Sequence, residues 1–422
     1  MWDKVYDRSG NRVQGGWAIM KRELRQDHTP VVKVEMLNAS LNPVGDFILT
    51  AGDQTYDDGD FTNVITDGNI DVDVDRGTRR TAELTLLNPT AEFTPATKDF
   101  EPEGPWVGKI YLNRNVRIWR GIRAGAIELF VPVGTFMIDN AEVIVEQNMS
   151  LANLTMSDHW KKLTKSTFGF NITYEKGTFY NTIIRELIDF AGVPLTGDYR
   201  AILDRMPDRD NEDKRINSKL KFARGDSRGE RLKELAKDWG LDLYFDPLGQ
   251  FRSEDRRSSE DRAPVWVFSA KESDDSNENG GIISLTRSFN DDNLYNHVII
   301  VGTGNEKNVV KASRSDNNPR SKTRIELIGD RVFYKETDKI SNQAQANRAL
   351  RNAWEKRFQL SESISADVIC NPALEADDVI KIKEFTFAKV DGGYRLRRFT
   401  VPLVTTKQTI EASNIIRPED LS

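Results

Sequence analysis

The stretch Leu360–Glu384, LSESISADVICNPALEADDVIKIKE, decides how the rest of the chain is read. Ile364, Ala366, Val368 and Cys370 alternate with polar neighbours, the two-residue period of a strand with one face buried. Asn371-Pro372 ends that strand, because proline has no donor for a ladder and holds its predecessor extended. Asp377-Asp378 introduces a second strand that opens with Val379, Ile380 and Ile382. Upstream, residues 340–358 form one expected helix with Ala346, Leu350 and Trp354 inward. Helix, strand, turn and strand make a recognisable string, but the string names no chemistry.

Working outward, 422 residues are too many for one ordinary core, and two to four domains are expected. Hydrophobic residues at 38%, charged residues at 30% and a mean hydropathy of -0.56 describe a rather polar globular chain. Its net charge of -6 comes from 60 basic and 66 acidic residues in mixed order, with no basic excess of the kind that wraps nucleic acid. DNA passing an acidic wall would not adhere to it. The single cysteine, Cys370, excludes an intrachain disulfide and reads as a buried apolar thiol. No run approaches the roughly 20 apolar residues that cross a bilayer as a helix, and residues 1–17 do not resemble a signal peptide. A chain made in the cytoplasm that stays soluble is expected.

Taken in order, residues 1–29 read as an arm, either docked on a neighbouring subunit or disordered. Strands dominate 30–165: Val31 to Met36, Asp71 to Asp75, Thr81 to Asn88, a pair Trp106–Leu112 and Val116–Trp119, then 128–139, 141–145 and 149–156. Short strands with Gly, Pro and Asn between them suggest a sandwich or barrel. Residues 166–281 change character. Thr178 to Ala191 has a helical apolar face (Phe179, Ile183, Leu187), and a second helix begins near Asp226 or Ser227 as N-cap. Strands 241–245 and 264–268 flank a charged loop, Arg252 to Arg262, and DDSNENGG (Asp274–Gly281) reads as a linker. Residues 282–422 return to strands, with a hairpin expected over Ile325–Tyr334 about Gly329-Asp330. The expected fold class is mainly β with an α+β insert, two barrel- or sandwich-like domains flanking the insert.

Each constellation that might carry chemistry has a plainer structural reading. Asp71, Asp73 and Asp75 lack the spacing of a calcium loop, since Gly77 falls seventh and Ala82 twelfth. They read as the wet face of a strand, and Asp53, Asp57, Asp58 and Asp60 as a polar loop. Gly302-Thr303-Gly304 lacks the third glycine and the following helix of a dinucleotide site. His159 beside Asp158 is a structural pair rather than part of a triad, and His28 and His297 stand in unrelated contexts. Trp106, Trp119, Trp160, Trp239, Trp266 and Trp354 fit core positions better than a carbohydrate platform. Arg395, Arg397 and Arg398 read as a solvated face rather than an interface. No catalytic, cofactor-binding or metal-ligating residue is expected, and no cofactor.

Several segments, in their order, resemble the tail hub proteins of long-tailed bacteriophages. They are VPVGTFMIDNAEV (Val131–Val143), LTMSDHWKKL (Leu154–Leu163), TFYNTIIRELIDFAGV (Thr178–Val193), LYNHVIIVG (Leu294–Gly302) and the Asn-Pro/Asp-Asp-Val string. The family includes baseplate hubs of contractile phages and the hub part of siphophage tail-tip proteins, also called minor tail proteins. The resemblance runs through most of residues 30 to 415; the charged loops at 200–230 and 250–262 depart from it. It implies an arm (1–29), a first tube-type β domain (30–165), an α+β insert (166–281) and a second tube-type β domain (282–422). It also implies a homotrimer that continues the six-fold tube with six β domains. Implied partners are a distal tail protein or tail tube, the tape measure protein and tip or fibre proteins. DNA is met only in transit, and no membrane insertion is implied. The place implied is the virion tail tip, assembled in the host cytoplasm, with Asp71, Asp73 and Asp75 as candidate lumen carboxylates. The end at Ser422 lacks an appended lytic domain, which favours a structural hub over a tail-associated cell-wall hydrolase or peptidase, or a carbohydrate-binding adhesin.

Overall fold

A computed structural model describes residues 5–24, 28–51, 61–95, 110–125, 127–146, 149–193, 215–216, 219–239, 241–255, 262–270, 280–291, 294–303, 309–337, 340, 342–357 and 360–416. The chain is mainly β, with few helices. A short helix, α1 (Gly16–Glu23), precedes the strands β1 (Thr29–Leu37), β2 (Pro43–Ala51), β3 (Phe61–Asp73), β4 (Arg80–Leu87), β5 (Asn115–Ala124), β6 (Ile127–Glu146) and β7 (Met149–Ser157). These strands bond in the order β3-β2-β1-β5-β6-β7-β4, and β4 returns to β3. The ring is therefore a closed barrel, and closure leaves its strands without a free edge to guard. Alternation supplies the interior: Val32, Val34 and Met36 of β1 meet Ala82, Leu84 and Leu86 of β4 in one core.

Two local features shape the barrel. The expected strands 128–139 and 141–145 are one strand, because Asp139 bulges out of the β6–β7 register and the ladder bends without ending. At Gly121 the chains approach so closely that a Cβ would lie 2.3 Å from the Leu129 carbonyl oxygen. The expected pair 106–112/116–119 does not form. Residues 106–109 lie outside the described residues, 110–112 are a bend and turn, and β5 is occupied by β1 and β6 on its two sides. Over residues 5–24 the arm packs on its own chain. Tyr6 exchanges two 2.9 Å backbone hydrogen bonds with Phe130, Val5, Met20 and Leu24 enter the barrel core, and Trp17 packs 6.0 Å from Trp266.

The insert comprises α2 (Trp160–Lys165), β8 (Ile172–Tyr174), α3 (Tyr180–Phe190), β9 (Leu220–Phe222), α4 (Arg228–Trp239), β10 (Leu241–Phe245) and β11 (Phe251–Asp255). It has its own core around Trp160, Phe168, Leu187, Leu232 and Phe251. Of the two residues expected to cap α4, Asp226 and Ser227, it is Ser227 whose Oγ accepts the Glu230 N–H, at 3.4 Å. Gly229 lets α4 touch α2, since a Cβ there would meet the Thr164 nitrogen at 2.6 Å. The charged stretch expected as a loop from Arg252 begins instead as strand β11, paired with β10. Asp246 makes that hairpin: its carboxylate accepts the N–H groups of Leu248 (3.0 Å) and Gln250 (2.9 Å) and pairs with Arg252.

The remaining elements are β12 (Trp266–Ser269), β13 (Ile282–Asn290), β14 (His297–Gly302), β15 (Val310–Ser315), α5 (Ile325–Ile328), β16 (Val332–Thr337), α6 (Gln343–Arg357), β17 (Leu360–Ile369), β18 (Val379–Glu384), β19 (Val390–Pro402) and β20 (Lys407–Ile416). A second sheet runs β12-β18-β19-β20-β17-β13. The string quoted first thus supplies β17 and β18, which flank β19 and β20 rather than pairing with each other. β19 reaches beyond this sheet and pairs Arg398 to Pro402 with Asp73 to Asn69 of β3, so one continuous ladder joins sheet and barrel.

Between β13 and β17 sits a small unit. β14 lies between β15 and β16, with α6 packed through Ala346 and Trp354 on Val298 and Ile300. The hairpin expected over Ile325–Tyr334 is absent. Residues 325–328 form a helical turn, and β16 pairs in parallel with β14. The cause is Asn296, fully buried, whose amide donates to the carbonyls of Thr323 (2.9 Å) and Gly329 (2.8 Å) and accepts from the Arg331 N–H. That loop closes around one side chain, and no hairpin ladder can replace those bonds.

Candidate functional site

Among the described residues, charge gathers at the seam where barrel, insert and second sheet meet, and the outer end of the second sheet exposes apolar side chains, as the insert does at Phe170 and Phe190. At the seam, Arg398 of β19 faces Asp71 of β3 with Nε–Oδ1 at 3.0 Å and Nη2–Oδ2 at 3.1 Å. Arg397 pairs with Asp75, and Arg76 bonds Asp73 at 3.0 Å and Asp71 at 3.5 Å. Arg395 pairs with Asp377. The three alternating carboxylates are therefore not a bare acidic stripe, and the three arginines are not a solvated face. The arginines of one strand neutralise acids of other segments, an arrangement to which sequence separation gives no clue.

Deeper in the seam, Arg79 and Arg80 at the start of β4 reach in two directions. Arg79 donates to Asp242 at 2.6 Å and stacks its guanidinium 4.1 Å from the Tyr244 ring centroid. Arg80 is fully buried; Nη1 donates to the Phe245 carbonyl at 2.8 Å and Nη2 pairs with Glu375. Two consecutive barrel residues thus hold the insert and the turn after β17. Asp158 accepts the Arg80 and Trp160 N–H groups, both at 3.0 Å, and burial pushes its carboxyl up to about 6. Beside it, burial and then the charges of Lys162 and Arg117 hold His159 down to about 3. His159 Nε2 lies 3.1 Å from Asn115 Oδ1, and no hydrogen bond joins the side chains of Asp158 and His159 among the described residues. The interior imidazole, kept neutral, meets the Phe245 ring edge to face with centroids 5.7 Å apart.

The other sequence candidates are placed as follows. Gly302 ends β14 against Ile340, where a Cβ would meet Ile340 Cγ2 at 2.4 Å; Gly304 lies outside the described residues. The Asp53–Asp60 cluster and Trp106 also lie outside them. Trp119, Trp160, Trp266 and Trp354 are buried, and Trp119 Nε1 donates to Glu35 at 2.8 Å. Cys370 is buried, and burial pushes its thiol up to about 11. Among the described residues, no group of three or more His, Cys, Asp or Glu is placed to hold a metal ion, and no helix is long and apolar enough to cross a membrane.

The outer end of the second sheet carries what sequence reading did not single out. Among the described residues, β13 pairs with β17 alone. Leu285, Arg287 and Phe289 share the face that Ala366, Ile364 and Glu362 occupy on β17, yet Phe289 is 58% exposed. The core face therefore runs off the sheet at this strand. Arg287 pairs with Glu362 and donates to the carbonyls of Ala388 (2.8 Å) and Lys389 (3.3 Å) in the β18–β19 turn. The sheet is curled enough for its far hairpin to touch its last strand through one side chain.

No family model matches the sequence, and no curated protein matches it. The fold does have counterparts. The chain is similar to the tail protein from Neisseria meningitidis MC58, with 11% identity, 92% of this chain and 97% of that one covered, and a TM-score of 0.60. It is similar to the 43 kDa tail protein of prophage MuSo2 from Shewanella oneidensis, with 12% identity, 93% and 100% covered, and a TM-score of 0.55. A chain of the Francisella PdpA-VgrG complex is also similar, at 9% identity and a TM-score of 0.51; 97% of this chain spans 55% of that one. At these identities the likeness is one of fold, and the fold is that of phage tail proteins.

Proposed function

We propose that the chain is a structural hub of the tail tip of a long-tailed bacteriophage, a trimeric ring that ends the tail tube. In this reading it connects the tube to the tape measure protein and the adhesion apparatus and lets DNA pass during ejection. It is assembled in the host cytoplasm and resides in the virion, and its domains are the arm, the two tube-type modules and the insert, with α2, expected in the first module, joining the insert and β12, expected in the insert, joining the second module. The fold shared with the two tail proteins over nearly their whole length supports the setting.

The observation that carries the reading is strand β13, which among the described residues has no strand paired on its outer side. It is nine residues long, contains no proline, has Arg287 as its one charge and exposes Ile283 and Phe289. Such an edge is a template for another chain's backbone unless something covers it. The barrel offers finished walls, whereas the second sheet offers an unfinished one. A head-to-tail contact between an unfinished module and the next copy closes into a ring when its rotation permits. Three copies are what the hub resemblance implies.

A purely structural role is supported by what the candidate catalytic groups do. Asp158 and His159 are locked in the seam, Cys370 is buried, and the four described tryptophans named above form no exposed platform. Negative-stain class averages of the purified chain test the proposal. Annular particles with three-fold symmetry are expected; isolated single-chain globules with turnover of cell-wall substrate would favour the hydrolase instead.

A further inference from the structure

The turn joining β18 to β19 is held from two sides. The buried Glu384 carboxylate accepts the backbone N–H groups of Thr386 (2.8 Å), Phe387 (3.0 Å and 3.2 Å) and Ala388. From β13, Arg287 takes the carbonyl oxygens of Ala388 and Lys389. An acid thus satisfies the donors of the turn and a base its acceptors. What this fixed turn displays is apolar: Phe385 is 58% exposed and Phe387 91% exposed. A slack loop would fold such rings back onto its own protein, and this one is tied so that it does not. An anchor already fixed in shape loses little entropy on docking, and aromatic anchors carry much of the energy of protein contacts.

We infer that Phe385 and Phe387 form a preorganised knob that seats in an apolar socket on a second copy of this chain. The inference rests on the reading of β13 as the subunit edge and gives that contact its anchor. Continuity of surface selects the occupant. Arg287, which ties down the turn, belongs to β13, and its guanidinium lies 4.7 Å from the Phe289 ring. Phe289 and the base of the turn are therefore neighbours around Arg287, so a copy that pairs along β13 lies next to the knob.

Thr386 lies exposed between the two rings, so Thr386→Cys places a thiol on the knob. The chain's own cysteine, Cys370, is buried and gives a silent background. Maleimide labelling is followed in the oligomer and in chain diluted until it dissociates, with Val145→Cys, exposed on the barrel, as the control. Labelling at 386 is expected to slow at least about tenfold in the oligomer, and F385S combined with F387S to raise the half-association concentration at least about tenfold with an unchanged circular dichroism spectrum. An oligomer that labels at 386 as fast as free chain overturns the knob and leaves the ring intact. So does a double variant that associates like the parent. A chain that stays monomeric at every concentration overturns both.

Discussion

Arg398 of β19 reaches diagonally across the ladder, past its register partner Asp73, to Asp71 of β3 and shares two hydrogen bonds with it, at 3.0 and 3.1 Å, although 327 residues separate them in the chain. The geometry is the two-pronged one in which a guanidinium matches a carboxylate. It sits where the second sheet is sewn to the barrel, so it bears on how firmly the two modules are set.

Because Arg398 is partly exposed, the pair is a modest stabiliser despite its geometry. Arg398→Met should lower unfolding free energy by about 0.5–1 kcal/mol in dilute salt, with a smaller loss in concentrated salt. Urea titrations at two salt concentrations check this. A loss that ignores salt would mean packing, not charge, is what Arg398 contributes.

Arg80 is a different case, since it is buried and holds three segments together. Arg80→Met removes the guanidinium from beside Glu375 and the donor to the buried Phe245 carbonyl, and should cost about 3–5 kcal/mol. Uncoupling of the insert should also show as a second unfolding transition in calorimetry. A single transition shifted by less than a few degrees would contradict the clamp.

Burial pushes the Asp378 carboxyl up to about 8, against the opposing hydrogen bond from the Glu375 N–H. A carboxyl raised above its unfolded value of 3.8 favours the fold fully at low pH and progressively less as pH rises through about 8. His159 acts with the opposite slope on the acid side. Its folded value near 3 lies below the ordinary 6.5, so its contribution is present above 6.5 and falls away with acidification. Asp378→Asn should flatten the decline of stability between about 4 and 8 and leave the acid limb, and His159→Gln should do the reverse. Denaturant midpoints across that range read both, and parallel curves for variants and parent would contradict the assignment.

Local order was legible in the residues. Alternation in Thr81–Asn88 and in Ile364–Cys370 locates β4 and β17, and the pair Asp226-Ser227 marks the start of α4 because an N-cap acts within one turn. Illegible were the pairings that depend on distant partners. β11 is hidden by its charges, although its first residue, Phe251, is buried and Asp246 fixes the turn that pairs it with β10. Helix α5 stands where a strand is expected because the residue that decides it, Asn296, lies a whole strand pair earlier. Arg395, Arg397 and Arg398 looked like a wet face for the same reason, their acids being on other segments. Least legible is the exposed pair Phe385 and Phe387, whose display follows from a buried Glu384 in a turn, and composition alone does not tell a buried acid from a wet one.

The mass of the purified chain in solution, followed by analytical ultracentrifugation over a range of concentrations, tests the central claim most directly. One chain weighs 48.0 kDa. Closure of the unfinished sheet by neighbouring copies predicts that the concentrated species weighs three times that value, with no stable dimer between. A sedimenting species of one chain's mass at every concentration would contradict it.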